Sequence, residues 1–180
     1  RQIFAAPVWI PPDSTPLSGL VTKGRRRRVN YDEFGPGYAS AYGLVAGLNV
    51  QEIPRDDGTT GWFDNGIRVH GSVDYMSIMQ RHSHGCHRLY NHLALRLFDF
   101  VIRHRAHTRA GQTVVNYGRN FELEGRPYRI EIGTRGYLFQ LDPPLPVEVL
   151  PGRILGTTQL PPQHPVRKPG VRYLGDTIDP

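Results

Sequence analysis

Cysteine is nearly absent from this chain: Cys86 is the only one in 180 residues. A single thiol excludes an intramolecular disulfide, so pairing says nothing about the redox compartment. Long apolar runs are missing as well, and none approaches the ~20 residues of a membrane-spanning helix. No signal peptide is visible. The first residue is Arg1 rather than Met, and a preceding segment is expected to have been removed or left out. No internal repeat is found. Acidic residues are in deficit, 16 against 22 Lys and Arg, for a net charge of +6 and a pI near 9.8. That balance suits work beside an anionic surface, whether wall polymer or nucleic acid.

Turn-forming residues are abundant, with 20 glycines and 16 prolines. With 38% hydrophobic residues, they describe a loop-rich β or α+β domain, since a helical bundle does not carry such punctuation. The length fits one domain with a proper core and is short for two. Residues 1–20 are proline-punctuated and extended. Phe34-Gly35-Pro36-Gly37 leads into a strand expected over Ala41–Val50. Asp56-Asp57-Gly58 and Asp64-Asn65-Gly66 read as turns, with a further strand at Ile67–His70. Leu89, Leu93, Leu97 and Val101 recur every four residues, with Phe98 and Ile102 beside them. The spacing predicts an amphipathic helix over 89–104, this stripe facing the core and Arg103, His104 and Arg105 closing its end. Tyr128–Ile132 and Tyr137–Leu141 read as short strands of a hairpin with Gly133–Gly136 between them. The last 38 residues hold nine of the 16 prolines and no clear periodicity, as in a wrapped tail or a partly ordered extension.

The chemistry concentrates in residues 70–88, HGSVDYMSIMQRHSHGCHR. Cys86 stands two positions after His84, and a second His-Gly pair, His70-Gly71, lies upstream. A thiol attacks as its thiolate, which a nearby imidazole or a helix N-terminus favours. With a helix expected from Leu89, Cys86 is expected just before a helix N-terminus.

Val69-His70-Gly71-Ser72, then Ser77-Ile78, then Ser83-His84-Gly85-Cys86-His87-Arg88-Leu89 resemble the active-site signature of the L,D-transpeptidases of YkuD type. Pro7-Val8-Trp9-Ile10-Pro11-Pro12 is similar to a Pro-x-Trp-x-x-Pro segment upstream of that site in many members. The resemblance covers about residues 7–100. Ser72 stands where the family has Thr, Met79 where it often has Gly, and His87 where it has an aliphatic residue. The family's first strands, which carry a Thr-Pro-x-Gly element, have no clean counterpart, so the expectation is either a later part of a larger protein, with N-terminal strands missing and a sheet edge left for a partner segment, or a divergent member with a rebuilt sheet.

The resemblance implies a mainly β (β-rich α+β) fold, a YkuD-like mixed sheet or β-sandwich with one helix following the catalytic Cys. Residues 1–142 would form the catalytic domain and 143–180 a Pro-rich C-terminal extension. Cys86 would attack a peptide carbonyl to form a thioester, and His84 would accept the thiol proton and return it to the leaving amine. A backbone carbonyl near the histidine, rather than a carboxylate, orients this imidazole in the family. The N–H groups of Gly85 and Cys86, with the His70 side chain, are candidates for holding the oxyanion. Ser83 would position the loop, Arg88 would pair with a substrate carboxylate, and Ser72 would complete the substrate side.

The implied reaction is peptidoglycan L,D-transpeptidation, with cross-links formed between stem peptides and D-alanine released. Resolution by water would make it an L,D-carboxypeptidase, and a different bond an amidase. The implied location is the periplasm or cell wall, carbapenem-type β-lactams are the expected inhibitors, and no cofactor is implied. Alone, Cys86 would be a buried structural thiol. His82, His84, Cys86 and His87 crowd too closely for tetrahedral zinc, so no metal is expected. His92, His104, His107 and His164 read as surface histidines. Arg25–Arg28 could contact an anionic polymer, either nucleic acid or the acidic groups of a cell wall, but with no stacking pattern or nucleic-acid motif beside it the run reads as a solvated loop. A non-catalytic wall-binding module is the rival of another class.

Overall fold

The computed structural model describes residues 1–74, 78, 83 and 85–149, with the side chains of 112–114 and 134–135 left aside. Six strands are formed: β1 (Gln2–Ala5), β2 (Val45–Pro54), β3 (Thr60–Ser72), β4 (His87–Tyr90), β5 (His107–Leu123) and β6 (Arg126–Leu141). They make one mixed sheet in the order β4-β3-β2-β1-β6-β5. Neighbours are antiparallel except β3 and β4, which run parallel. Among the described residues the α-helices with full bounds are the single turn α1 (Tyr31–Phe34) and α2 (Asn91–His104), and Leu17–Gly19 forms a 3-10 turn. A β-rich α+β fold with one long helix after Cys86 is what this chain forms.

Helix α2 lies on one face of the sheet. Its Ala94, Phe98 and Val101 bury against Ile3, Val45 and Leu141, flanked by Val69, Leu89 and Phe139. Gly47 makes this seat possible, because a Cβ there would collide with the Phe98 ring. A second core, of Leu20, Phe34, Ile130 and Ile132, lies where the early loops pack on β6, with Trp9 against Phe34 at 6.1 Å.

Several expectations need correction. The helix starts at Asn91, because Leu89 and Tyr90 are drawn into pairing with Gly71 and Ser72 of β3. Its buried face is Asn91, Ala94, Phe98 and Val101, rather than the stripe of leucines. Leu93 and Leu97 are 40% and 42% exposed. The four-residue spacing drifts from the 3.6-residue helical period, and three- and four-residue steps from Asn91 track the true inner face. The helix dipole therefore does not act at Cys86, since β4 lies between them.

The expected strand at Ala41–Val50 begins at Val45, and residues 41–44 form a turn in which Gly43 has φ +61°. Gly133–Gly136 is no turn. The hairpin reverses at Glu124-Gly125, both at positive φ, as a two-residue turn between long strands requires. The glycine at 136 marks a close approach, because a Cβ there would press on the carbonyls of Ala5 and Ala6. β1, at the start of the chain, sits in the middle of the sheet with partners on both sides. The edges fall on β4 and β5. Among the described residues no helix is long and apolar enough to cross a membrane. The tail from residue 150 onward lies outside the described residues.

Candidate active site

β3 and β4 build the site through their parallel register, which pairs Val69 with His87 and His70 with Arg88. Extending this register by one residue places Cys86 beside Arg68 and diagonally across from His70, on the same face of the sheet. Cys86 is half-buried, and its Sγ donates to the Gly66 carbonyl at 3.8 Å.

That carbonyl is presented by an interruption in β3. The pairing with β2 jumps from Leu48–Arg68 to Val50–Asp64, so three residues of β3 face Asn49 alone. The Asp64-Asn65-Gly66 segment, expected as a turn between strands, is thus a bulge within one strand. It is stapled from inside. Asp64 Oδ1 accepts the Gly66 N–H at 2.9 Å, Asn65 Oδ1 accepts the Ile67 N–H at 3.0 Å, and Gly66 takes φ +78°. Across the bulge, Arg68 grips Asp64 with two guanidinium contacts of 2.6 and 2.7 Å. The guanidinium holds the Asp64 carboxyl below its usual range.

His70 is 3% exposed. Its Nδ1 lies 2.7 Å from the Gly71 carbonyl. A carbonyl only accepts, so Nδ1 carries the proton and Nε2 of the neutral ring is left as an acceptor. Burial lowers the His70 pKa from 6.5, and the nearby Arg88 and Arg68 charges lower it further against the raising effect of the Gly71 hydrogen bond. The Tyr42 ring meets the imidazole edge-on at 5.1 Å. Burial raises the Tyr42 pKa, so its hydroxyl stays protonated, and it also feels the charges of Arg68, Cys86 and Asp64.

The turn before Cys86 is tied by one hydroxyl. Ser83 Oγ donates to the Cys86 carbonyl at 2.6 Å and accepts the Gly85 N–H at 3.3 Å. The Gly85 amide, a candidate oxyanion donor, is therefore turned to Ser83. Gly85 itself takes φ +122°, which favours glycine. Ser72 is buried, and its hydroxyl accepts the Asp74 N–H at 3.1 Å. Arg88 is half-buried on β4. His84, Ser77, Met79 and His82 lie outside the described residues.

Three participants escaped the sequence reading: Tyr42, the Asp64–Arg68 staple and Asn91. Asn91 is 1% exposed. Its Oδ1 accepts the Leu44 N–H at 3.1 Å and its Nδ2 donates to the Tyr38 carbonyl at 3.2 Å. A Cβ on Gly43 or Gly71 would collide with it. It thus locks the loop carrying Tyr42 against the strand end carrying His70. Asn91 is the first residue of α2 rather than its cap, which is Tyr90, and nothing in the sequence marks this role.

A family model described as the L,D-transpeptidase catalytic domain (YkuD) matches residues 1–136. The chain belongs to that family. Its members are cysteine-dependent transpeptidases, which accords with a single half-buried thiol on the residue before β4 and a buried, oriented imidazole on β3. The match also takes in β5 and most of β6, well beyond residues 7–100 that carried the sequence resemblance. Searches of curated proteins and of solved structures returned no significant match. The family acts on the cell wall, which implies peptidoglycan substrates and an exported protein.

Proposed function

We propose that the chain is a peptidoglycan L,D-transpeptidase, with Cys86 as nucleophile and His70 as its base. The observation that carries this is the His70 Nδ1 to Gly71 carbonyl bond. It fixes the tautomer that leaves Nε2 as an acceptor, on the sheet face where the register puts Cys86. The base role expected for His84 passes to His70 on this ground, and the orienting backbone carbonyl is that of Gly71.

In the first half-reaction Nε2 takes the Cys86 proton, and the thiolate attacks the carbonyl between the third stem residue and the terminal D-alanine. The oxyanion is met by the Cys86 N–H and the Tyr42 hydroxyl. The imidazolium returns its proton to the departing amine as the C–N bond breaks, which leaves a thioester and free D-alanine. An amine from a neighbouring stem, deprotonated by the same Nε2, then displaces the thiol and closes the cross-link. Arg88 and Arg68, flanking His70 on this face, would receive the carboxylate of the donor stem. Ser83 holds the loop, and the buried Ser72 shapes the turn after β3. Residues 1–142 are the catalytic unit and 143–180 an extension of it.

The test is mass spectrometry of products from purified tetrapeptide muropeptides, with Cys86→Ala and His70→Gln as comparisons. Dimers joined between third residues, lost in both variants, support the reading. Tripeptide without dimers would make the chain a carboxypeptidase on the same thioester chemistry. Dimers that persist in Cys86→Ala would overturn it. Carbapenem-type β-lactams are expected to acylate Cys86, adding the intact drug mass.

A further inference from the structure

The positive charge of this protein is concentrated far from Cys86. Residues 22–29 and 122–129 together carry seven Lys and Arg and two Glu, a net +5 of the chain's +6. The fold brings these two stretches together at the turn of the β5–β6 ribbon. The site above sits at the opposite edge, on β3 and β4.

The basic loop is pinned at its base. Val21 and Val29 bridge, the Thr22 N–H donates to the Arg28 carbonyl at 2.7 Å, and the Arg28 N–H donates to Thr22 Oγ1 at 3.1 Å. Arg25, Arg26, Arg27 and Arg28 are therefore held on a closed, exposed loop. Arg27 reaches Glu124 at the ribbon tip, 2.7 Å away. Among the described residues this is the only ion pair recorded for those four arginines. Between loop and tip lies a crevice of about 270 Å³, lined by Arg25, Arg27, Arg126, Glu124 and Tyr128 among others.

We propose that this end of the molecule binds a phosphodiester polymer of the cell envelope, of poly(glycerol phosphate) type. Guanidinium forks match phosphate oxygens in pairs. The crevice holds one such group between Arg25, Arg27 and Arg126, and Arg26 and Arg28 continue the row outside it, so a ligand with repeated phosphates gains over a single ion. Nucleic acid would want an exposed aromatic platform, but Tyr128 is half-buried and stacked on Phe121 at 5.3 Å. A flat membrane surface would not fill a crevice. Phosphate binding follows from these residues alone, and only the choice of an envelope polymer rests on the proposed function. Bound there, the polymer would hold the domain at its working surface while leaving the Cys86 face open.

Fluorescence anisotropy with labelled poly(glycerol phosphate) tests this on the full chain. The Kd should rise about 50-fold between 50 and 200 mM salt if about four phosphates are neutralised. Arg25→Gln/Arg27→Gln/Arg126→Gln should weaken binding at least about tenfold, since it removes most of those contacts. The distant exposed set Arg55→Gln/Arg96→Gln/Arg103→Gln should bind as wild type, and so should Cys86→Ala. The melting temperature of each variant checks folding. The proposal fails if the first triple variant binds like wild type, or if the distant triple weakens binding equally. It fails too if single-stranded DNA of equal charge or anionic phospholipid vesicles bind more tightly. Because Cys86→Ala is expected to keep binding, this result and the muropeptide result are independent.

Discussion

At the residue scale, His70 draws its properties from burial and four neighbours. The Gly71 carbonyl accepts the Nδ1–H, Tyr42 closes one side, and burial together with Arg88 and Arg68 disfavours the imidazolium. Replacing His70 by Gln keeps much of the volume and removes the proposed base. Acylation of Cys86 should fall by about 10²- to 10⁴-fold, the range of general base catalysis, as read by single-turnover mass spectrometry. The acid limb of kcat/KM should lie below pH 6.5, the ordinary histidine value from which His70 is lowered. A limb well above 6.5 would count against His70. The same shift acts on stability. The folded ring resists protonation while the unfolded chain accepts it near pH 6.5, so stability is complete above that value. It declines as pH falls toward the folded pKa, with a slope approaching about 1.4 kcal/mol per pH unit. Urea melts of wild type and His70→Gln between pH 7.5 and 5 should diverge accordingly, with the variant the flatter of the two.

At the element scale, the bulge in β3 decides where the thiol points. Carbonyls of a regular strand point alternately to its two neighbours, and the Gly66 carbonyl, set within the bulge, accepts from the Cys86 thiol. Asp64 closes it from an exposed position, so its ion pair with Arg68 contributes little to global stability, within about 1 kcal/mol. Asp64→Ala should leave the melting temperature nearly unchanged and lower the acylation rate at Cys86. An equal loss in both would mean that Asp64 serves folding alone. Asn91 performs a comparable task from inside, tying the Tyr38–Leu44 loop to the end of β3 through two hydrogen bonds. Removing it would strip a partner from the half-buried Leu44 N–H and from the Tyr38 carbonyl, at about 1 kcal/mol for each lost bond.

At the scale of the whole molecule, one helix and one early strand hold the sheet together. β1 bridges β2 and β6 with four paired residues on each side, and Phe98 fills the space that Gly47 leaves. Phe98→Ala should cost about 3–5 kcal/mol, a large share of a domain's typical stability of about 5–15 kcal/mol. Thermal denaturation followed by circular dichroism measures it, and a loss under 1 kcal/mol would mean that α2 is not the main cover of the sheet. The segment after β6 adds to the same core through Leu145. With Pro144, Pro146, Val147 and Val149 it walls a cavity of about 830 Å³ that reaches Ile67 and His87. The polar residue at position 87, out of place in the family signature, thus faces that cavity rather than the thiol.

Much of the chemistry was legible in residue order. Cys86, the two His-Gly pairs and their separation required only counting, because a loop that delivers a nucleophile to a base has a fixed reach. The β-rich character followed from glycine and proline content, and the existence of the long helix from its apolar period. Tertiary structure decided the rest. It chose Asn91 over Leu89 as the helix start because strand pairing with β3 outweighed helical propensity. It turned a turn-like Asp-Asn-Gly into a bulge because β2 kept its hydrogen bonds on both sides. It extended β6 through glycines that single-residue propensity reads as breaks, since a 16-residue ladder with β5 and a close approach by β1 needs them there. The tautomer of His70 was settled only by a carbonyl oxygen 2.7 Å away, and backbone atoms leave no mark in a list of side chains. Residue order therefore determined which reactive groups this protein has, and packing decided which way each one faces.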